Sequence, residues 1–195
     1  MGLTFIKSQT ASNVCEIDFI HGTSDVVFDS TYNEYLFTIV NYKPVTDGSQ
    51  LGFQTDTGTN TSYNQPMTTT AFRPGHSQSG GWSDLDYTVD YDLAQDGSGT
   101  SGRQVISQSG ESATQAEMSA SGELRLFDPS NGTYVKHFYS RVNNQYTNND
   151  TDAQTYCVEL YTAGYVNTAT ALTRVRFDTT SGNILAGTFT LYGVS

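Results

Sequence analysis

The sequence predicts an all-β protein, a single jelly-roll-like antiparallel β-sandwich of about ten short strands over residues 1–195. Short segments in which apolar and polar residues alternate recur along the whole chain. Clusters of Gly, Asn, Asp and Ser, which are typical of tight turns, separate these segments. No segment has the periodicity of an amphipathic helix. Short strands with regular turns between them indicate a sandwich or a barrel.

The candidate strands follow one another along the entire sequence. The alternation is clearest where Val175 and Phe177 are flanked by Arg174, Arg176 and Asp178, which predicts one buried face and one solvated face. The candidate strands are residues 3–8, 14–20, 25–32, 34–42, 51–57, 68–73, 84–93, 116–127, 133–142, 155–166, 172–179 and 187–194.

The last candidate strand has the pattern of a core strand. Phe189 and Leu191 lie on one face, and Thr188 and Thr190 on the other. Because an exposed flat edge strand invites aggregation, we expect residues 187–194 to pair with a neighbour inside the domain and to complete its sheet.

Two segments rich in Gly, Ser and Gln, residues 74–83 and 94–114, are predicted to be long flexible surface loops. The stretch DPSNG at 128–132 predicts a tight connection, since Pro129 fixes φ and Gly132 tolerates positive φ. We find no internal repeat and no interdomain linker. One domain is therefore expected.

The chain is acidic, with 20 Asp and Glu against 9 Lys and Arg and a net charge of −11. Contact with a nucleic-acid backbone requires clustered Lys and Arg, and the sequence has no such cluster. An anionic membrane surface is disfavoured for the same reason. We therefore expect neither a nucleic acid nor a membrane as a partner.

The two cysteines, Cys15 and Cys157, each lie in an apolar candidate strand. A disulfide between them would indicate an oxidising compartment. The favoured alternative is a pair of buried thiols that act as small hydrophobic side chains. The N-terminal segment lacks the pattern of a secretory signal, so we expect synthesis in a cytosol without export.

Four carboxylates in the stretch DLDYTVDYD are the strongest metal candidates in the sequence. Asp84, Asp86, Asp90 and Asp92 all occupy even positions, and clustered oxygens on one strand face are what Ca²⁺ prefers. The favoured alternative is a solvated strand face, with the odd residues packed beneath it. Those odd residues are Leu85, Tyr87, Val89, Tyr91 and Leu93.

No pattern in the sequence predicts a catalytic residue, a cofactor or a metal site. Glycoside hydrolysis needs two carboxylates across a cleft, and Glu16 with Asp18 or Glu117 with Glu123 are weak candidates for it. The three histidines (His21, His76 and His137) lack the spacing of zinc ligands. No Ser lies in a nucleophile elbow.

Aromatic residues near the loops are the best candidates for a contact surface. Trp82 is the only tryptophan. If Trp82, Tyr63, Phe72 and His76 face outward, they would suit contact with a glycan or a protein partner. The alternative for these aromatic residues is a place in the core.

The sequence resembles a family of small structural proteins of marine tailed bacteriophages, of the cyanophage kind. The resemblance rests on stretches such as FQTDTGTNTSYNQ, LRLFDPSNGTYVKHF, AGYVNTATALTRVRF and the ending SGNILAGTFTLYGVS. It runs from the first strand to the last and is weakest over residues 74–115.

The resemblance implies a non-enzymatic protein of the virion, made and assembled in the cytoplasm of the bacterial host. The expected partners are other capsid or tail proteins. The protein would decorate the capsid or form a compact tail or fibre appendage. The symmetry of phage particles suggests a homo-oligomer, with a trimer as the expected form. The alternative function is a carbohydrate-binding module that recognises a host surface glycan.

Overall fold

The computed structural model describes residues 2–96, 102–108, 117–147 and 155–195. These residues form thirteen strands and no helix, so the described chain contains no helix that could cross a membrane. The strands are β1 (Leu3–Val14), β2 (Glu16–Ile20), β3 (Glu34–Pro44), β4 (Leu51–Thr57), β5 (Met67–Ser77), β6 (Ser83–Tyr87), β7 (Ala94–Asp96), β8 (Gln104–Val105), β9 (Ala120–Phe127), β10 (Lys136–Thr147), β11 (Thr155–Val166), β12 (Leu172–Thr179) and β13 (Ile184–Val194).

The strands form two antiparallel sheets in a sandwich-like arrangement, which confirms the predicted all-β class. The large sheet has the order β1-β13-β3-β9-β10-β11-β5-β6, with β7 also paired to β5. The small sheet has the order β2-β12-β4-β8. The last strand, β13, lies between β1 and β3, and Phe189 and Leu191 are fully buried. The predicted interior position of this strand is therefore confirmed.

The core between the sheets is built around aromatic rings. Phe177 of the small sheet packs against Phe37 and Phe189 of the large sheet, with ring centroids 5.4 and 5.3 Å away. Phe53 and Phe138 make a second contact between the sheets at 4.8 Å. Each fully buried ring contributes about 1.5–3 kcal/mol to folding. Val175 is also fully buried, as its alternation with Arg174 and Arg176 predicts.

The prediction of a strand at 25–32 is wrong. This segment belongs to the connection between β2 and β3 and forms no ladder among the described residues. Ser24 and Asp25 both have positive φ, of 51° and 69°, which turns the chain where the segment begins. The alternation is still reflected in burial, because Val26 and Phe28 lie in the core.

The two predicted loops are only partly irregular. In the first, residues 74–83, β5 continues to Ser77 and β6 begins at Ser83. In the second, residues 94–114, the described part contains β7 and β8 and buries Ile106 completely. Residues 97–101 and 109–114 of that prediction lie outside the described residues.

Both interpretations of the cysteines are wrong. Cys15 and Cys157 are free thiols, and both are exposed. Cys15 lies where the chain leaves β1 of the large sheet and enters β2 of the small sheet. Cys157 lies on the outward face of β11, opposite His76 of β5.

Candidate functional site

The outward face of the large sheet carries the candidate site. On β10, Phe138 and Val142 point into the core, whereas Tyr139 and Arg141 are exposed. Side chains of neighbouring strands that lie opposite each other share a face. The register pairs Tyr139 with Ala163 and Arg141 with Tyr161 of β11, so these four residues lie together on the outward face.

A row of rings crosses this face from β10 to the sheet edge. Tyr161 is opposite Phe72 of β5, and Phe72 is opposite Tyr87 of β6. The Phe72 and Tyr161 rings stack with centroids 4.7 Å apart and planes 3° apart. The Arg141 guanidinium lies 5.6 Å from the centre of the Tyr161 ring, within the range of a cation–π contact. We call Arg141, Tyr161, Phe72 and Tyr87 the aromatic row.

An apolar groove lies beside the aromatic row. Its volume is about 350 Å³, and its lining includes Tyr139 of β10, Tyr161 and Ala163 of β11, and Thr70 and Phe72 of β5. Ala163 and Thr70 are small and exposed, so they leave space between the larger side chains. The groove therefore offers an apolar surface on an otherwise acidic protein.

The charged groups near the groove are paired with one another. Arg141 donates to Glu159, and the Tyr161 hydroxyl donates to the same carboxylate at 3.0 Å. These hydrogen bonds raise the pKa of both Arg141 and Tyr161. Arg125 pairs with Glu34 at 2.5 Å and with Glu123 at 3.2 Å. Each of these carboxylates therefore has an arginine as its counter-ion.

The four candidate contact residues do not come together. Phe72 and His76 lie on the outward face of β5. Trp82 packs on the opposite face, over Gly75 and edge-on to Tyr156, with ring centroids 5.4 Å apart. Tyr63 is only 2% exposed. The Arg176 guanidinium covers its ring at 3.8 Å, so Tyr63 cannot stack against a sugar.

The acidic stretch is not one long strand. β6 ends at Tyr87, and the chain then turns, so the predicted strand to residue 93 is wrong. Leu85, Tyr87 and Val89 are 67%, 57% and 68% exposed, so the interpretation that packs the odd residues beneath the carboxylates is wrong for these three. Tyr87 and Leu85 lie opposite Phe72 and Pro74 of β5, so they extend the apolar surface of the aromatic row to the sheet edge.

Two of the four carboxylates of this stretch have side-chain partners. Asp86 pairs with Arg73 at 3.0 Å, and Asp92 accepts a hydrogen bond from the Tyr87 hydroxyl at 2.6 Å. Within the described ranges, no three His, Cys, Asp or Glu side chains are grouped so that they could hold a metal ion.

Three of the four carboxylates considered for glycoside hydrolysis contact arginines. Glu16 and Asp18 both contact Arg176, at 3.4 and 2.7 Å. Glu123 contacts Arg125, as described above. These carboxylates therefore already serve as counter-ions on the outward faces of the two sheets.

Sequence reasoning missed the residues of β10 and β11 that form the groove. Tyr139, Tyr161 and Ala163 stand in segments whose alternation marks them as one face of a strand. Which face is outward, and which strands are neighbours, follows only from the pairing of β10 with β11 and of β11 with β5. A comparison of this chain with protein-family models, curated proteins and solved structures finds no match.

Proposed function

We propose that this chain is a non-enzymatic structural protein of a bacteriophage particle. It would be exposed on the particle surface, as a capsid decoration or as a compact tail or fibre appendage. In this proposal it attaches to a neighbouring virion protein through the apolar groove and the aromatic row. The resemblance described above supports the assignment to a phage. The features of the structure that support the proposed contact are the apolar groove and the aromatic row.

The exposed apolar surface at the groove is the observation that carries the proposal. Phe72 is 44% exposed, Tyr139 40%, and Leu85 and Tyr87 more than half. Monomeric proteins rarely leave extended apolar patches in water, and such patches mark interaction sites. Aromatic residues are also enriched at the centres of protein interfaces. A partner that covers this face would remove these rings from water.

The geometry favours a protein partner over a host glycan. Sugar recognition uses an open ring face, but Phe72 stacks on one face of Tyr161 and Arg141 lies over the ring of the same residue. The stacking also covers one face of Phe72. A groove of about 350 Å³ with small residues in its lining can accept an apolar side chain of a protein. Binding to a host glycan remains the alternative, and the test below distinguishes it.

Two substitutions of the same type test the contact face. Thr70→Arg places a charge in the apolar groove at an exposed position, so folding is preserved. Thr59→Arg is the control, at an exposed position in the turn after β4 of the small sheet. Labelled protein is added to phage particles that lack it, and the bound copies are counted.

We expect the unmodified protein and Thr59→Arg to bind to the same extent, and Thr70→Arg to bind at least about tenfold less, since an unpaired charge in an apolar interface costs more than 1.4 kcal/mol. Equal binding of both variants would show that the groove is not part of the interface. If no form binds particles but the unmodified protein binds host polysaccharide, the glycan alternative replaces the proposal.

The position on the particle has its own test. Gold-labelled antibody against this protein, viewed on intact particles by electron microscopy, should decorate either the heads or the tails. The absence of gold on both would contradict surface exposure.

Light scattering of the purified protein gives the oligomeric state, for which we propose a trimer in keeping with particle symmetry.

A further inference from the structure

A second cleft lies at the opposite edge of the large sheet from β6, where the connection between β2 and β3 passes the beginning of β1. Residues 25–32 of this connection pair with no neighbouring strand among the described residues. The Phe28 amide donates to Nδ1 of His21 at 3.0 Å, and the Asp29 amide donates to the Tyr35 hydroxyl at 3.1 Å. These bonds fix which side chains of the segment face outward.

The outward residues of this segment form one wall of the cleft. Val26 and Phe28 are buried, so Asp25, Val27 and Asp29 project to the other side. The opposite wall is the beginning of β1, where Phe5 is 61% exposed. The cleft has a volume of about 340 Å³. Its full lining is Thr4, Phe5, Ile6, Asp25, Val27, Asp29, Thr31 and Tyr32. We call it the acidic cleft.

The charge in the acidic cleft is entirely negative. Asp25 and Asp29 are the charged residues of the lining, which includes no Lys or Arg. The Asp25 carboxylate has no hydrogen-bond or ion-pair partner within the part of the chain that the structure describes. Oδ1 of Asp29 accepts a hydrogen bond from the Thr31 amide at 2.8 Å. That bond lowers the pKa of Asp29, so this carboxylate is ionised at neutral pH.

Aromatic rings lie next to these carboxylates. Phe5 packs edge-on against Tyr192, and Tyr32 packs edge-on against Tyr35, with centroids 6.1 and 5.9 Å apart. A carboxylate beside an aromatic ring suits a cation on an apolar stem, because the charge meets the carboxylate while the stem and the cation contact the ring. Lys and Arg side chains have this construction.

We propose that the acidic cleft binds a basic side chain, Arg or Lys, presented by a partner protein. The net charge of −11 favours the approach of cationic groups. Arginines of this chain already form ion pairs with its own carboxylates. Arg103, for example, pairs with Asp178, and Arg176 pairs with Asp18. This inference does not rest on the phage assignment or on the apolar groove.

The test uses two capped peptides that differ only in charge, Ac-Gly-Arg-Gly-NH₂ and Ac-Gly-Cit-Gly-NH₂, where Cit is the neutral analogue citrulline. Amide shifts of the ¹⁵N-labelled protein are followed by NMR. We expect saturable shifts confined to residues 4–6 and 25–32 with the arginine peptide. Binding should weaken when NaCl is raised to about 300 mM, since salt screens exposed charges, and the citrulline peptide should bind at least about fivefold more weakly.

Two substitutions remove the charge without disturbing the backbone. Asn adopts the left-handed conformation of residue 25 readily, so Asp25→Asn is compatible with its φ of 69°. Asp29→Asn keeps an oxygen that can accept the Thr31 amide. The control is Asp84→Asn, an exposed aspartate whose Oδ1 also accepts a backbone amide, that of Leu85.

The double variant Asp25→Asn/Asp29→Asn should lose the arginine-dependent shifts, and Asp84→Asn should retain them. The inference is overturned if both peptides shift the same amides equally, if no saturable shift occurs, or if the double variant binds as the unmodified protein does. Because the peptides bind the isolated chain, none of these outcomes depends on whether Thr70→Arg affects binding to particles.

Discussion

Arg103 and Asp178 form a two-pronged ion pair between the segment that leads into β8 and the adjoining end of β12. The Nε–Oδ1 and Nη2–Oδ2 distances are 2.6 and 2.5 Å. Their side chains are only 21% and 13% exposed. Burial raises the pKa of Asp178 more than Arg103 lowers it, whereas the hydrogen bonds to Asp178 raise the pKa of Arg103. Arg103 thus stabilises the carboxylate of Asp178 at a buried position that would otherwise favour the protonated, neutral acid.

Replacing Arg103 should therefore destabilise the folded protein at neutral pH. Arg103→Gln leaves the Asp178 carboxylate without its counter-ion, and we expect the free energy of unfolding at pH 7 to fall by about 2–3 kcal/mol, less than for a fully buried pair. Urea denaturation followed by circular dichroism measures the loss. Arg141→Gln, which removes the exposed Arg141–Glu159 pair, is the control and should change stability little.

The same variant should show a characteristic pH dependence. A carboxyl group whose pKa is raised in the folded state binds a proton more tightly there than in the unfolded chain. Its ionisation therefore lowers stability as the pH rises through the folded pKa. In Arg103→Gln the pKa of Asp178 should rise further, so the deficit relative to the unmodified protein should shrink between pH 7 and about pH 4.5. A deficit that is constant with pH would contradict this account.

Gly122 marks a close approach between β9 and β10. A Cβ at this position would overlap the carbonyl oxygen of Arg141 and the Cα of Val142. Since these are backbone atoms, they cannot move aside without opening the ladder. We expect Gly122→Ala to lower the free energy of unfolding by about 2–3 kcal/mol.

The matched control for this substitution is Gly132→Ala. A Cβ there would meet no atom within 4 Å, and Gly132 does not have positive φ. This variant should be neutral or more stable by up to about 1 kcal/mol, because alanine reduces the entropy of the unfolded chain. Thermal unfolding of both variants measures the difference, and equal melting temperatures would refute the close-contact argument.

The alternation of residues predicts burial well and strand pairing poorly. Val175 and Phe177 are fully buried, as their period of two indicates. The same period at 25–32 also reports burial correctly, since Val26 and Phe28 are in the core. The period of two does not show that this segment is irregular. The amides of Phe28 and Asp29 donate to the side chains of His21 and Tyr35 instead of to a neighbouring strand. These hydrogen-bond partners lie outside the segment, so its own sequence does not reveal them.

The candidate site was less predictable than the fold. A period of two does not say which face of a strand is buried, and for β6 the apolar residues Leu85 and Tyr87 face outward at the sheet edge. Phe72 was a candidate contact residue from sequence. Its stacking partner, Tyr161, is far away in sequence and follows only from the register of β11 against β5. Trp82, another candidate contact residue, lies on the opposite face of the sheet from Phe72.

The state of the cysteines gives a direct chemical prediction. Because Cys15 and Cys157 are free and exposed, iodoacetamide should label both in the native protein at neutral pH, without denaturant or reductant. Mass spectrometry of the intact chain should then show two added groups. One or no added group before unfolding would indicate a buried or disulfide-bonded cysteine. The variants Cys15→Ser and Cys157→Ser should each accept a single group and thereby assign the two sites.

The position of Phe189 in β13 predicts how strongly the last strand contributes to the core. Phe189 is fully buried against Phe177 of the opposite sheet, so Phe189→Ala would leave a cavity between the sheets. We expect a loss of about 3–5 kcal/mol in the free energy of unfolding, measured by urea denaturation. Phe5→Ala is the matched control, since Phe5 is 61% exposed at the edge strand β1 and should lose less than about 1 kcal/mol. Deletion of residues 187–195 removes most of β13, the strand between β1 and β3, and should give insoluble protein. A soluble truncated chain that unfolds cooperatively would show that the large sheet forms without β13.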